Sequence, residues 1–131
     1  MTLEQLKNFI KEHTDVGAGI RLGSIDGNAE RFIGVYPAKD AGALRVCLGG
    51  KEQTFTGELR AVILIHWTQS AAQAEEKAWE IYRLFWAMPP TDMDGADVRM
   101  ADPGGGPVSV GRDVRGIFEY VINLKLTYMK E

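Results

Sequence analysis

Gly116-Ile117-Phe118-Glu119-Tyr120-Val121-Ile122-Asn123-Leu124-Lys125-Leu126-Thr127-Tyr128 is the stretch on which the reading of the fold turns. Phe118, Tyr120, Ile122, Leu124, Leu126 and Tyr128 share one parity; Glu119, Asn123, Lys125 and Thr127 share the other, with Ile117 and Val121 as exceptions. Successive side chains of a strand point to opposite faces, so this pattern predicts a long strand with one face in a core. A second long strand is predicted over residues 53–67. Its odd positions, Phe55, Gly57, Leu59, Ala61, Ile63, Ile65 and Trp67, form an almost wholly apolar face. Its even positions begin polar (Thr54, Thr56, Glu58, Arg60) and then become Val62, Leu64 and His66. The first half should therefore be wet on one side and the second half covered on both.

Between these strands, residues 70–88 predict a long helix. Ser70 and Gln73 have the spacing of a capping box, Glu75 and Glu76 follow in the dipole-favoured N-terminal region, and Pro89-Pro90 ends the run. Ala74, Ala78, Ile81, Tyr82 and Phe85 recur at the helical period and mark its buried stripe. A shorter helix is predicted over residues 2–13, with Leu3, Leu6 and Ile10 on one stripe and Thr2 and Gln5 as a second capping box. Strands are expected at 20–25 and 31–36, joined as a hairpin through Asp26-Gly27-Asn28. A third is expected where Leu44, Val46 and Leu48 alternate with Arg45 and Cys47, after a break over 37–42 and before Gly49-Gly50. Residues 91–106 are acidic and turn-rich, with a short strand over 98–100 and a flexible Gly104-Gly105-Gly106-Pro107 connection. The predicted core contains Ile63, Ile65, Ile81, Phe85, Phe118, Tyr120, Ile122 and Leu124. The pattern as a whole predicts an α+β fold in a single domain over residues 1–131. Its sheet is antiparallel-rich and twisted, with about six strands, one long helix packed on it and a short N-terminal helix.

A length of 131 residues suits one compact domain, and 45% hydrophobic with 25% charged residues is a globular composition. A formal charge of −3 argues against a dedicated nucleic-acid binder, which needs surplus Lys and Arg. The longest apolar runs, 61–65 and 84–88, are far shorter than the ~20 residues that span a bilayer, and the charged N-terminus does not read as a signal peptide. With one cysteine, Cys47, there is no intrachain disulfide and no Cys-rich zinc site. These features predict a soluble intracellular protein.

Chemistry-bearing motifs are weak throughout. The glycines at 17, 19 and 23 miss the dinucleotide-loop spacing and lack a βαβ unit. Asp92-Met93-Asp94-Gly95-Ala96-Asp97 lacks a third ligand before the glycine and the distant Glu of a calcium loop. The only histidines, His13 and His66, have no visible ligand set or triad around them. No cofactor, metal or catalytic residue is therefore expected. What remains is surplus apolar surface: Val62 and Leu64 on the mainly polar strand face, and Trp79 and Trp86 flanking the helix stripe. Such positions suit either a core sealed on two sides or a subunit interface.

Val110-Gly111-Arg112-Asp113-Val114-Arg115-Gly116-Ile117-Phe118-Glu119-Tyr120-Val121-Ile122-Asn123 resembles the C-terminal signature of small tailed-phage minor capsid proteins similar to tail terminators. That signature is a Gly-x-Asp turn, a glycine, and an aromatic-rich strand containing Asn. Ile33-Gly34-Val35-Tyr36, Cys47-Leu48-Gly49-Gly50 and Ile63-Leu64-Ile65-His66-Trp67 agree in order, followed by a helix rich in Ala and Glu. The resemblance implies structural work rather than catalysis. Its members form a ring, typically of six subunits, at the head-proximal end of the tail tube. The implied partners are copies of the chain itself, the tail tube protein and the head–tail connector, with no membrane and no sequence-specific nucleic acid. The implied location is the virion tail, with the host cytoplasm during assembly. A ring needs head-to-tail contacts. The expected contact residues are Val62, Leu64, Trp79 and Trp86 for apolar area, with Arg112, Asp113 and Arg115 facing a neighbour's acidic 91–106 loop. The alternative reading is a small-ligand or peptide-binding α+β module without catalytic activity.

Overall fold

A computed structural model describes residues 1–39, 46 and 48–130. In chain order the elements are α1 (Leu3–His13), β1 (Gly19–Leu22), β2 (Phe32–Pro37), a 3-10 turn (Lys51–Gln53), β3 (Thr56–His66), α2 (Ala71–Phe85), β4 (Thr91–Met93), β5 (Ala96–Asp102), β6 (Val108–Arg112) and β7 (Phe118–Met129). The architecture is α+β. One mixed sheet runs β1-β2-β3-β7-β5-β4, and β6 also pairs with β7. β5 bonds the C-terminal half of β7 and β6 its N-terminal half, so these two strands follow one another along the same side of β7.

The two strands predicted to be longest form the centre of this sheet. β3 and β7 are antiparallel, with Ile63 opposite Ile122, Ala61 opposite Leu124 and Leu59 opposite Leu126. Both helices cover that face: Leu6, Phe9 and Ile10 of α1 and Ala78, Ile81 and Phe85 of α2 join Ile33, Val35, Ile63, Ile65, Ile122 and Leu124 in one core. Of the eight predicted core residues, six are buried; Phe118 and Tyr120 are half-buried against the same cluster.

The helix caps show how local chemistry sets the ends. Thr2 and Gln5 form the complete capping box of α1. At α2, Ser70 accepts from the Gln73 N–H at 3.3 Å, but the Ser70 N–H is taken by Thr68 Oγ1 at 3.2 Å rather than by the Gln73 side chain. Removing the Ser70 hydroxyl as Ser70→Ala should cost about 1 kcal/mol, read as a shift in the urea midpoint. The helix ends at Phe85, three residues before the predicted end. Trp86 is its C-cap and Ala87 turns left-handed at φ 52°, ahead of Met88, which Pro89 disfavours from helical geometry.

Several expectations are corrected. β1 and β2 are parallel, not a hairpin. The Asp26 turn exists, with the Asn28 N–H on Asp26 Oδ1 at 3.0 Å, but it lies inside a connection that carries the chain back to the start of β1. There the Ala18 N–H bonds the Arg31 carbonyl at 2.6 Å. Gly17 permits this closeness: it sits at φ +67°, and a Cβ there would lie 2.2 Å from the Arg31 carbonyl oxygen. Gly17→Ala should therefore destabilise the fold by at least about 2 kcal/mol; an unchanged thermal midpoint would refute this role for the glycine. β3 begins at Thr56, and Phe55 is exposed outside it. The strand predicted around Leu44 and Cys47 falls on residues 40–45 and 47, outside the described residues; its flank Leu48 is exposed in a turn. The 91–106 stretch holds two paired strands, β4 and β5, with Asp94 and Gly95 both at positive φ between them. β6 was not anticipated. Among the described residues no helix is long and apolar enough to cross a membrane.

Candidate functional site

Both helices lie on one face of the sheet, and among the described residues no helix or strand covers the opposite face. Cross-strand registers place its side chains in rows. Tyr36, Val62 and Asn123 form one; Gly34, Leu64, Val121 and Val108 the next; Phe32, His66 and Glu119 the third. Val62, Leu64, Tyr36 and Val121 are half-buried there. Gly34 lets its neighbours close over the sheet, since a Cβ on it would lie 2.6 Å from the Tyr36 ring and 2.8 Å from Ile25.

His66 stands at the end of this face and is fully buried. Its Nδ1 is 3.0 Å from Glu119 Oε2, while Nε2 is 3.8 Å from Asp113 Oδ2, too far for a hydrogen bond. Nε2 is the one buried side-chain polar atom left without a partner among the described residues. Asp113 is itself committed: its Oδ1 accepts the backbone N–H of Ile117 at 3.0 Å and of Arg115 at 2.8 Å. Those donors, the Ile117 amide foremost, and then the neighbouring His66 hold the Asp113 carboxyl below the ordinary aspartate range. Burial first, and the Glu119 charge second, push the Tyr36 phenol up. Asp113 thereby closes the turn before β7, and backbone bonds between Phe118 and Trp67 (3.1 Å) and Thr68 (2.9 Å) hold that turn beside the end of β3. Among the described residues no group of three His, Cys, Asp or Glu side chains is arranged to hold a metal.

A lowered carboxyl contributes stability at every pH above the unfolded value and loses it as pH falls through the folded one. Asp113→Asn keeps the acceptor oxygen and removes the titration. Thermal midpoints should therefore fall less steeply below about pH 3.9 in the variant than in the parent. Parallel curves would contradict the assignment.

The seven residues expected at a subunit contact occupy different parts of the surface. Val62 and Leu64 are on the open face, and Asp113 caps the turn beside it. Arg115 bonds Asn28 Oδ1 through Nη2, and its carbonyl accepts from Gln69 Nε2 at 2.8 Å. Arg112 lies 5.6 Å above the Phe118 ring. Trp79 is on the helix layer, edge-on to Tyr82 at 5.2 Å and close over Gly106. The Tyr82 hydroxyl donates to the Gly104 carbonyl at 2.8 Å, so the glycine stretch expected to be flexible is docked on α2. Trp86, beyond the helix end, is 62% exposed. The acidic loop is bound within the subunit too: Asn8 Nδ2 donates to Asp94 Oδ2 at 2.8 Å, and Arg99 pairs with Asp97 at 2.9 Å. It lies beside Tyr128, whereas the Arg112 turn lies beside Phe118. The basic and acidic loops are thus about 30 Å apart along β7.

Two features escaped sequence reasoning. Glu119 and Asp113 meet His66 only through strand register and a turn, which no local motif announces. Lys77 is buried on the helix stripe, with Nζ donating to Thr14 Oγ1 at 2.8 Å and to Glu80 at 2.6 Å and lying 4.9 Å from the Trp67 ring. His13 is structural, stacked on Phe9 at 4.1 Å with Nδ1 at 2.8 Å from the Phe9 carbonyl. A concavity of about 550 Å³ touches Lys39, Arg60, Val62, Asn123 and Lys125.

A family model described as bacteriophage tail terminator protein matches residues 11–130. The chain belongs to the bacteriophage tail terminator family. The match runs from the last turn of α1 through β7, so it takes in the whole sheet, α2 and the His66 cluster of this tail terminator. The segment that carried the resemblance, residues 110–123, forms the end of β6, the Asp113 turn and the first half of β7. No curated protein and no solved structure matches the chain. The family is structural, a component of the phage tail.

Proposed function

We propose that this tail terminator is a non-catalytic assembly protein that closes into a ring, of six subunits, at the head-proximal end of the tail tube. There it stops tube growth and presents a surface to the head–tail connector. It would be made in the host cytoplasm and retained in the virion. The observation that supports this reading is a sheet face that no described helix or strand covers, with half-buried Val62, Leu64 and Val121, in a chain of the terminator family. Leu64 and Val121 stand side by side on it, and contiguous apolar side chains at a surface suit a protein contact. Head-to-tail closure needs two different patches per subunit. Trp79 and Arg112 flank one edge of the subunit, while Val62 and Leu64, with Asp113 and Arg115 at the end of their face, offer a second. Trp86 adds exposed area near the helix end.

The concavity beside Arg60 and Lys125 is what a small-ligand module would use, and it is the observation in favour of that second reading. The two separate in one experiment. Purified chain is added to tail tube protein as it polymerises, and tube lengths are measured by negative-stain microscopy. The assembly reading predicts short tubes, each carrying a ring at one end. Unchanged lengths and bare ends would overturn it.

A further inference from the structure

Three rows cross the sheet unbroken from β1 to β6. Gly19 aligns with Phe32, His66, Glu119 and Gly111; Ile20 with Ile33, Ile65, Tyr120 and Ser109; Arg21 with Gly34, Leu64, Val121 and Val108. At this end of the subunit the sheet is five strands wide. It terminates in β1 on one side and β6 on the other, and neither pairs with a further described strand. Within the subunit the Gly19 N–H reaches the Val16 carbonyl at 3.3 Å and the Gly111 N–H the Ser109 hydroxyl at 3.4 Å; the remaining outward N–H and C=O groups of these edge strands are left for another strand or water.

The two edges also run in opposite directions. β1 is parallel to β2, and each later step, β2 to β3, β3 to β7 and β7 to β6, is antiparallel. β6 thus points against β1. A rotation about an axis along the strands would bring β6 of one copy beside β1 of the next at the same level and antiparallel, the better-bonded arrangement. The side chains fit an edge meant to be covered. Every residue of β6 is exposed, including Val108 and Val110, and Trp79 stands over Gly106 immediately before it. On the β1 side, Leu22 is exposed as well. Charge agrees: Arg112 ends β6 one row beyond the Gly19 level, toward the end of the subunit where the neighbouring copy carries exposed Asp15 and Glu30 beside Arg31.

We infer that the free edge of β6 pairs with the free edge of β1 on a second copy of this chain, joining the subunit sheets edge to edge. This rests on the ring reading and specifies its contact. It makes this face of each subunit continuous with the next, so that the Gly34, Leu64, Val121 and Val108 row becomes a band around the assembly; Val62 and Leu64 then lie outside the seam between copies, on a surface left for the tube or the connector to cover. It also replaces the end-to-end meeting of basic and acidic loops, which lie at opposite ends of β7.

The experiment uses the full chain with Cys47→Ser as background. Arg21→Cys is combined with Val108→Cys, the partner on the same row, and separately with Val110→Cys, to allow for a shear in register. All three positions are exposed, and within one subunit β1 and β6 are about 19 Å apart, well beyond disulfide reach. Any bond is therefore between copies. Oxidation of the assembled protein should give a covalent ladder on a denaturing gel for a double variant, ending at the subunit number found by native mass spectrometry. Neither single variant should give more than trace dimer. A discrete multimer whose double variants form no ladder overturns the edge pairing while leaving the ring. Strong dimer from Val108→Cys or Val110→Cys alone would show β6 meeting β6, which also contradicts the proposal. A parent chain that is monomeric overturns the ring and this contact together.

Discussion

Replacing Phe85 by alanine should remove about 3–5 kcal/mol of stability, the largest loss expected from any single core truncation in this chain. Phe85 is fully buried at the last turn of α2, with its ring 6.0 Å from that of Phe9, so it links the two helices over the sheet. The cavity left by its ring would be lined by residues of both helices and the central strands, none of which can move in without leaving its own neighbours. Total stability for a domain of this size is about 5–15 kcal/mol, and the loss should appear as a fall of about 10–20 °C in the thermal midpoint. Trp86, the next residue, is the control. It is largely exposed, so Trp86→Ala should change subunit stability by no more than about 0.5 kcal/mol. Protein concentration must be held constant, because self-association adds to apparent stability. A Phe85→Ala variant within 1 kcal/mol of the parent would mean that α2 is not seated as described.

Val108→Lys with Val110→Lys should have the opposite profile: an intact subunit that no longer assembles. Both valines are exposed on β6, and strand propensity differences cost at most about 1 kcal/mol there. In the assembly, two added ammonium groups would stand beside the Arg21 guanidinium of the neighbouring copy, which shares the Val108 row, and such like-charge contacts cost several kcal/mol. Each 1.4 kcal/mol is about a tenfold change in affinity, so association should weaken by more than a hundredfold. Circular dichroism should be unchanged while native mass spectrometry shows monomer. Wild-type assembly by the double variant would remove β6 from the contact.

What the sequence revealed follows the range of the forces involved. The alternation of β7 and of the first half of β3, and the periodicity of α2, are local signatures of burial on one side, and the structure places these elements at the centre of the fold. The β4–β5 hairpin was also legible, because Asp94-Gly95 is a two-residue turn signal; the acidic composition drew attention to ligands instead. The parallel pairing of β1 and β2 was not legible, since it depends on the contact of Gly17 with the Arg31 backbone, a non-local event. β6 is too short and too exposed to show a buried face, and its alternation of Val108 and Val110 around a serine gives no contrast with solvent. The His66 cluster depends on register across β3 and β7 and on a turn that returns Asp113 to the same spot. Spacing along the chain carries no trace of it.

The central claim is that the folded subunit is a building block of a closed ring. Native mass spectrometry of the purified full chain at micromolar concentration and near-physiological ionic strength tests it most directly. The account predicts a single discrete multimer with one subunit number, unchanged over a tenfold dilution. A monomer, or an open-ended series of masses with no preferred size, would contradict it.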